Sequence, residues 1–475
     1  MFFNSLSYFL FLPIVYLIFY FAGNRARWLV LLLSSLSFYC ALKIPYLLLV
    51  LGVVTVFTYV VGIRLGESTR NETKKAIFWS GIVGNVVLLA SLKYLSFITQ
   101  NINSVFGTNF DVGKGLVTIG VSYFVFQAIS YLTDIYLEIE EPEGHFGIFA
   151  VYMAFFPKLL QGPIERAGEL LPQLKQTYEF NYLNMRAGIL MFAWGLFKKI
   201  VVSDRLSLYV SPVYDNVHDY TGVVFVVITY LYALQIYFDF SGYTDMALGT
   251  ARIFNIKLTQ NFNNPYLATS IADFWRRWHI SFSRWILDYI FKPLQMQWRA
   301  WKTWGTAAAL FVAFLVSGVW HGAAWGFVVW GMLHGIYLGT SVFYKPLQRR
   351  IHKKLGVEKT SILRVWQIFV TFNLVCFAWI FFRANSIGDA LYICTNMFGL
   401  KNVPTVFMHD KIALFILIYS MVLILVVSVL RKYQKIIHYF ETCPFWMRWI
   451  CYYALLFTII LCASYHDVKY IYFKF

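Results

Sequence analysis

Apolar runs recur along this chain at lengths that fit a lipid bilayer, and that leaves it few folds. A membrane span needs about 20 mostly apolar residues. Candidates lie at 1–22, 44–63, 76–98, 116–137, 185–203, 222–240, 304–320, 323–344, 364–384, 411–430 and 448–467, with a shorter twelfth at 28–42. Only 13% of residues are charged and 59% are apolar, against roughly 25% and 45–50% in an ordinary soluble domain. The expectation is an all-α polytopic membrane protein of about 11–12 spans, forming one membrane domain over residues 1–475. Aromatics make up 20% of the chain, with 33 Tyr and 16 Trp. Tyr and Trp suit the headgroup level, where one end of the ring is wet and the other apolar.

The net charge of +17 would suggest nucleic acid as a partner in a soluble protein. Here the basic residues fall in short loops between apolar runs, where they set orientation in the membrane, and no arginine-rich arm is present. Nucleic acid is therefore not expected as a partner. The clusters Arg25/Arg27, Arg64 to Lys75, Arg299/Lys302, Lys345 to Arg364 and Arg431 to Lys435 are expected on the cytoplasmic side. If twelve segments cross, both termini lie outside. Lys198 and Lys199 fall inside a span, where they must snorkel or line a polar cavity. The run Met1 to Phe21 lacks a basic leader and a small-residue cleavage site, so it is expected to stay as a first span. The six cysteines (Cys40, Cys376, Cys394, Cys443, Cys451, Cys462) form no C-x-x-C pair. They are expected to behave as small hydrophobes, neither disulfide-bonded nor zinc-binding.

Two stretches fit neither a span nor an ordinary loop: 146–175, broken by Pro157, Gly162 and Pro163, and 239–292. Irregular backbone at membrane depth persists only when buried in protein or lining a wet cavity, so both are expected to be re-entrant or interfacial pieces. Within the second, Ile271–Phe291 is amphipathic. At 100° per residue Phe274, Trp278, Phe282, Trp285 and Tyr289 share an arc of roughly 80°, and Arg276, Arg277, Ser283, Arg284 and Asp288 lie mostly opposite. One interfacial helix is the expectation.

Chemistry concentrates in Ser317-Gly-Val-Trp-His-Gly-Ala-Ala-Trp-Gly326, inside a 304–344 pair of apolar segments. His321 has Gly318, Gly322 and Gly326 around it, which allow a helix break and close approach by a ligand. Ser317 lies one turn before it. His279 in Trp275-Arg-Arg-Trp-His-Ile-Ser281 could join it as an acid/base pair from a distant segment. His334 suits a packing or hydrogen-bonding role better. No metal-ligand spacing such as H-x-x-x-H occurs, so no metal is expected. Asp239, Ser241, Tyr243 and Asp245 end an apolar run, where they either line a substrate passage or cap a helix and form a turn. Asn261 belongs to an asparagine-rich loop. Asp134, inside an apolar run, needs a partner, for which Arg166 and Lys158 are candidates. Trp275, Trp278, Ser281 and Trp320 join Ser317, Asn261, His334 and the Asp239–Asp245 group as candidates for substrate contact. A transporter or channel would use such residues as a pathway, but the chain has no internal repeat and no cluster of several intramembrane carboxylates.

Taken in order, Phe124–Tyr136 (FVFQAISYLTDIY), Phe156–Arg166 (FPKLLQGPIER), Phe238–Met246 (FDFSGYTDM), Asn261–Tyr289 and Ser317–Gly335 resemble the membrane-bound O-acyltransferase (MBOAT) superfamily. The bacterial branch that O-acetylates alginate, peptidoglycan and other envelope glycans is the nearest in pattern, including the opening FFNSLSYFLFLPIV and the closing Tyr470–Phe475. The resemblance implies helices around a central tunnel that joins a cytoplasmic donor pocket to an outward-facing acceptor funnel. It implies His321 as general base, or as the group orienting the attacking hydroxyl, with His279 assisting at the acyl carbonyl or thiol. Also implied are a bacterial inner-membrane location, acetyl-CoA as donor substrate with no bound cofactor, and a periplasmic acetyl-accepting or SGNH-type transferase partner. The alternative within this fold is transfer of D-alanyl or another acyl group from a carrier protein. After Tyr289 the chain runs Lys292-Pro-Leu-Gln-Met-Gln where alginate-type members turn through Pro-Leu-Gly-Gly, which places peptidoglycan slightly ahead as acceptor.

Overall fold

The computed structural model describes residues 1–111, 116–358, 360–399, 411–432, 444–464 and 470–471, and every regular element among them is helical. Lys359, Lys435, Cys443 and the last four residues of the Tyr470–Phe475 run lie outside the described residues. Among the described residues seven helices are long and apolar enough to cross a membrane: Pro45–Glu67, Asn71–Lys93, Val224–Ile253, Arg299–His321, Trp325–Lys354, Ser361–Arg383 and Phe445–Cys462. The apolar run near 185–203 lies in continuous helix, Tyr182–Leu196 running on through a π-helical Phe197–Ser203 into Asp204–Asp215, while the runs near 1–22, 28–42 and 116–137 form the shorter helices Leu6–Phe21, Arg27–Cys40 and Val121–Tyr136. At about 1.5 Å per residue such helices reach roughly 21–24 Å, short of a hydrocarbon core about 30 Å thick. The run at 411–430 forms Lys411–Lys432. Large apolar side chains such as Leu49, Val53 and Val56 point outward from the spanning helices, as lipid-facing residues do.

Three boundaries differ from the sequence expectation. The 76–98 run is two helices, Asn71–Lys93 and Leu95–Phe106, broken at Tyr94. Residues 239–253, expected to open a re-entrant or interfacial piece, are instead the second half of the 30-residue helix Val224–Ile253. No proline interrupts that half, and its two carboxylates are answered by lysines, so nothing forces the helix to stop. The amphipathic Ile271–Phe291 segment is likewise not one helix. It divides into Ile271–Trp275, a turn, Ile280–Ile286 and a wider turn of π-helix at Leu287–Phe291. Its apolar face is nonetheless as expected, with Phe274, Trp278, Phe282 and Trp285 buried and Arg276 and Arg284 exposed.

The chain forms two compact units: Met1–Gly188 with Ala247–Phe372, and Ile189–Met246 with Asn373–Lys474. In the first, Lys302–His321 and Trp325–Lys354 form a helical hairpin closed by contact between glycines. A Cβ at Gly331 would lie 2.5 Å from the Phe314 carbonyl oxygen and 2.9 Å from Gly318 Cα. Small residues at such a seam let backbones approach, which is how helices gain packing energy in lipid. The 146–175 stretch folds as Phe146–Ala154, Phe156–Leu159 and Ala167–Leu174. Its backbone is buried, and an N–H group at the break after Phe155 is met by a side chain, Phe156 N donating to Ser35 Oγ at 3.0 Å.

The second unit is built around a buried ion cluster. Lys199 Nζ lies 2.7 Å from both Asp204 Oδ1 and Asp239 Oδ1, and Lys198 Nζ lies 2.8 Å from Asp245 Oδ2. Asp239 Oδ2 also accepts from the Ile471 backbone N–H at 2.9 Å. The lysine pair inside its apolar run therefore neither snorkels nor faces lipid. It neutralises the acids of the DFSGYTD sequence.

Candidate active site

His321 is the last residue of Lys302–His321, and Gly322 after it is extended (φ −174°, ψ 161°), so the chain leaves the helix straight and restarts at Trp325. The glycine break expected from sequence is thus real, and it puts the imidazole at a helix end inside the protein. His321 is buried, with ring centroids 4.8 Å from Trp320, 4.8 Å from Trp330 and 5.7 Å from Phe282. Ser317, one turn earlier, is buried, and its Oγ has no hydrogen-bond partner among the described residues.

His279 reaches the same aromatic wall from the other segment. It occupies the left-handed region (φ 43°, ψ 56°) directly before Ile280–Ile286, a conformation that costs a non-glycine residue energy and needs surrounding support. Asn261 supplies it: its carbonyl accepts from Ile280 N and its Oδ1 accepts from Ser281 N, both at 3.0 Å. Ser281 Oγ in turn accepts from Ile164 N at 3.1 Å, so the Gln161–Arg166 stretch, Asn261 and the His279 turn form one hydrogen-bonded assembly. The His279 ring lies 5.1 Å from Phe282 and 6.3 Å from Trp320 and Tyr123. Both histidines therefore flank the same Phe282–Trp320 stack, whose rings are 4.3 Å apart. His279 lies outside the spanning helices, and burial, by disfavouring imidazolium, pulls its pKa down to about 3.

His334 is a third buried histidine, 5.0 Å from the Trp330 ring that also borders His321. Trp275 Nε1 donates to its Nδ1 at 3.2 Å. Because indole nitrogen only donates, the neutral His334 carries its proton on Nε2, which meets no acceptor among the described residues. The hydrogen-bonding role expected for His334 holds on the Nδ1 side. Trp278 packs on Phe274 and Phe262 as core. Among the described residues no three His, Cys, Asp or Glu side chains are grouped as a metal site requires.

The remaining candidates make other contacts. Asp239, Ser241 and Asp245 make their described polar contacts within the second unit, with Lys198 and Lys199, and Tyr243 packs there on Tyr470. They sit mid-helix, so the turn and helix-end roles are both corrected. The partner of Asp134 is neither Arg166 nor Lys158 directly but Tyr289, whose OH donates to Asp134 Oδ1 at 2.6 Å. Arg166 instead pairs with Asp288 at 3.0 Å and covers the Tyr289 ring. Sequence reasoning missed Lys93 and Tyr94. Lys93 Nζ donates to the Trp320 and His321 carbonyls (2.7 and 3.2 Å), and Tyr94 OH to those of Val319 and Trp320 (2.8 and 3.3 Å). A lysine within an apolar run is itself a signal of function, and it went unused.

The site thus brings three buried histidines of a many-spanned helical protein to one aromatic wall. The membrane-bound O-acyltransferase family model matches residues 145–386, which include His279, His321 and His334. A peptidoglycan O-acetyltransferase of Helicobacter pylori is 34% identical over 435 residues, covering 84% of this chain and 80% of its own. A probable alginate O-acetylase of Pseudomonas aeruginosa is 34% identical over 404 residues (83% and 74%). A teichoic acid D-alanyltransferase of Bacillus subtilis is 26% identical over 275 residues (56% and 69%). The chain belongs to the MBOAT family and is a multi-pass membrane O-acyltransferase.

Proposed function

We propose that the chain moves an acetyl group from cytoplasmic acetyl-CoA across the bacterial inner membrane for O-acetylation of an envelope glycan, peptidoglycan ahead of alginate. A periplasmic acetyl-accepting or SGNH-type transferase protein completes the delivery. The observation that carries the reading is the convergence of His321 and His279 on the Phe282–Trp320 stack. Two imidazoles approach one water-poor place from separate segments, with the Ser317 hydroxyl a helical turn away.

In this reading an acceptor hydroxyl attacks the thioester carbonyl while His321 takes its proton. The new C–O bond forms, the C–S bond breaks, and the departing thiolate takes the proton back from His321. His279, held neutral by burial, donates a hydrogen bond to the acyl carbonyl oxygen or to the leaving sulfur, where charge develops. Exclusion of water keeps the thioester from hydrolysis. The basic cytoplasmic loops favour an anionic donor. The two acetyltransferase relatives, matched over most of the chain, support acetyl as the acyl group.

Replacing His321 with Ala is expected to abolish glycan O-acetylation while the protein still reaches the membrane as a monodisperse species. Normal acetylation in that variant would sink the mechanism. Donor identity is tested separately, with detergent-purified protein given labelled acetyl-CoA or an acylated carrier protein. Loss of thioester from the carrier alone would transfer the assignment to D-alanyl or related acyl chemistry, as the more distant D-alanyltransferase relative allows.

A further inference from the structure

We infer that Lys93 and Tyr94 are positioning residues for acyl transfer, holding the last turn of Lys302–His321 so that His321 and Trp320 face the substrate; this rests on His321 being the transfer base. The last carbonyls of a helix have no partner within it, and helices often close them with a left-handed glycine just past the end. Here Gly322 is extended, so no such closure forms. The carbonyls of Val319, Trp320 and His321 are taken by two consecutive residues of another segment, where Asn71–Lys93 ends and Leu95–Phe106 begins.

The charge of Lys93 makes the arrangement specific. A lysine in an apolar run is costly and usually reaches outward to the interface. Lys93 turns inward instead, and among the described residues its ammonium meets no carboxylate. It meets two carbonyls and the faces of the Tyr94 and Trp320 rings, each at 5.8 Å. The C-terminal end of a helix carries partial negative charge, so the ammonium offsets the dipole of the helix that presents the base. Trp320 and His321, which border the reacting region from this helix, have their own backbone oxygens in this grip. A small rotation of the turn would move the imidazole and the ring that lies against His279 and Phe282 together.

A misplacement of about 1 Å at a reacting group costs on the order of 100-fold in rate. The test uses membrane vesicles from cells that carry the full chain and acetylate their envelope glycan, with initial rates measured against labelled acetyl-CoA. Lys93→Met is expected to lower kcat on the order of 100-fold with KM for the donor little changed. Lys93→Arg, which keeps a cation able to donate to two carbonyls, is expected to recover most of that loss. Tyr94→Phe, which loses only the hydroxyl, is expected to cost on the order of tenfold. His321→Ala is run beside them. If it is inactive while Lys93→Met keeps the parental kcat, or changes KM alone, the inference about Lys93 is overturned and the reading of His321 stands. If His321→Ala keeps the parental rate, the underlying reading fails and the positioning role fails with it. Should Lys93→Met not reach the membrane, Tyr94→Phe decides: a lowered kcat supports the inference and an unchanged one overturns it.

Discussion

At the scale of single residues, burial keeps the His279 imidazole from titrating near neutrality. With its pKa lowered to about 3, His279 stays neutral from about pH 5 to 8. Its exchange for Asn, which cannot titrate, should lower the rate of acyl transfer while leaving the shape of the pH–rate profile unchanged over that range. Loss of an acidic limb in His279→Asn would show that His279 does titrate there. His321 was legible because an imidazole amid three glycines, between two apolar runs, is costly to bury unless it is used. His279 was legible as a candidate, but its left-handed backbone was not, since nothing local to Trp278-His279-Ile280 signals it. The support comes from Asn261, 18 positions earlier. Asp134 shows the same limit: its Tyr289 partner lies 155 positions on, and charge complementarity suggested Arg166 and Lys158 instead.

At the scale of elements, the hairpin of Lys302–His321 and Trp325–Lys354 depends on its glycine seam. Gly331→Ala would push a methyl group against the Phe314 carbonyl and Gly318. Overpacking of this kind typically costs about 1–3 kcal/mol. It should appear as a lowered unfolding midpoint in detergent, with Gly23→Ala, which meets nothing within 4 Å, unchanged as the control. Asn261→Ala removes the acceptor of the buried Ser281 N–H and should cost about 1–3 kcal/mol, with acyl transfer falling as the His279 turn loosens. Asn261→Gly, equally short of the side-chain acceptor, is expected to behave the same way. Element ends were the least legible part of the sequence. Periodicity located the buried face of Ile271–Phe291 correctly because burial follows side-chain order whether or not one helix is continuous. It did not locate the break, which tertiary hydrogen bonds impose. The DFSGYTD sequence looked like a helix end for the converse reason: its carboxylates are polar locally, and the lysines that let the helix continue are about 40 positions away.

At the scale of the whole molecule, the membrane class and family were written in composition and in the order of motifs, because lipid rewards apolar length over about 20 residues at a time. The count of crossings was less so, since runs of similar hydropathy fold into helices of 14 to 30 residues. The structure also distributes its buried titratable groups in a way hydropathy cannot reveal. The three histidines of the candidate site belong to one compact unit, and the Lys198–Lys199 cluster with its three acids to the other. Removing one partner from a buried ion cluster costs roughly 3–5 kcal/mol, because the remaining charge stays buried. Lys199→Met takes the shared cation from Asp204 and Asp239, and should lower resistance to unfolding by that amount. His321→Ala removes a neutral ring and should leave the unfolding midpoint much closer to the parent while abolishing transfer. Measuring both variants for activity and for unfolding in the same detergent therefore separates a stability role from a chemical one. Equal destabilisation by the two would mean that His321 serves the fold as much as the reaction.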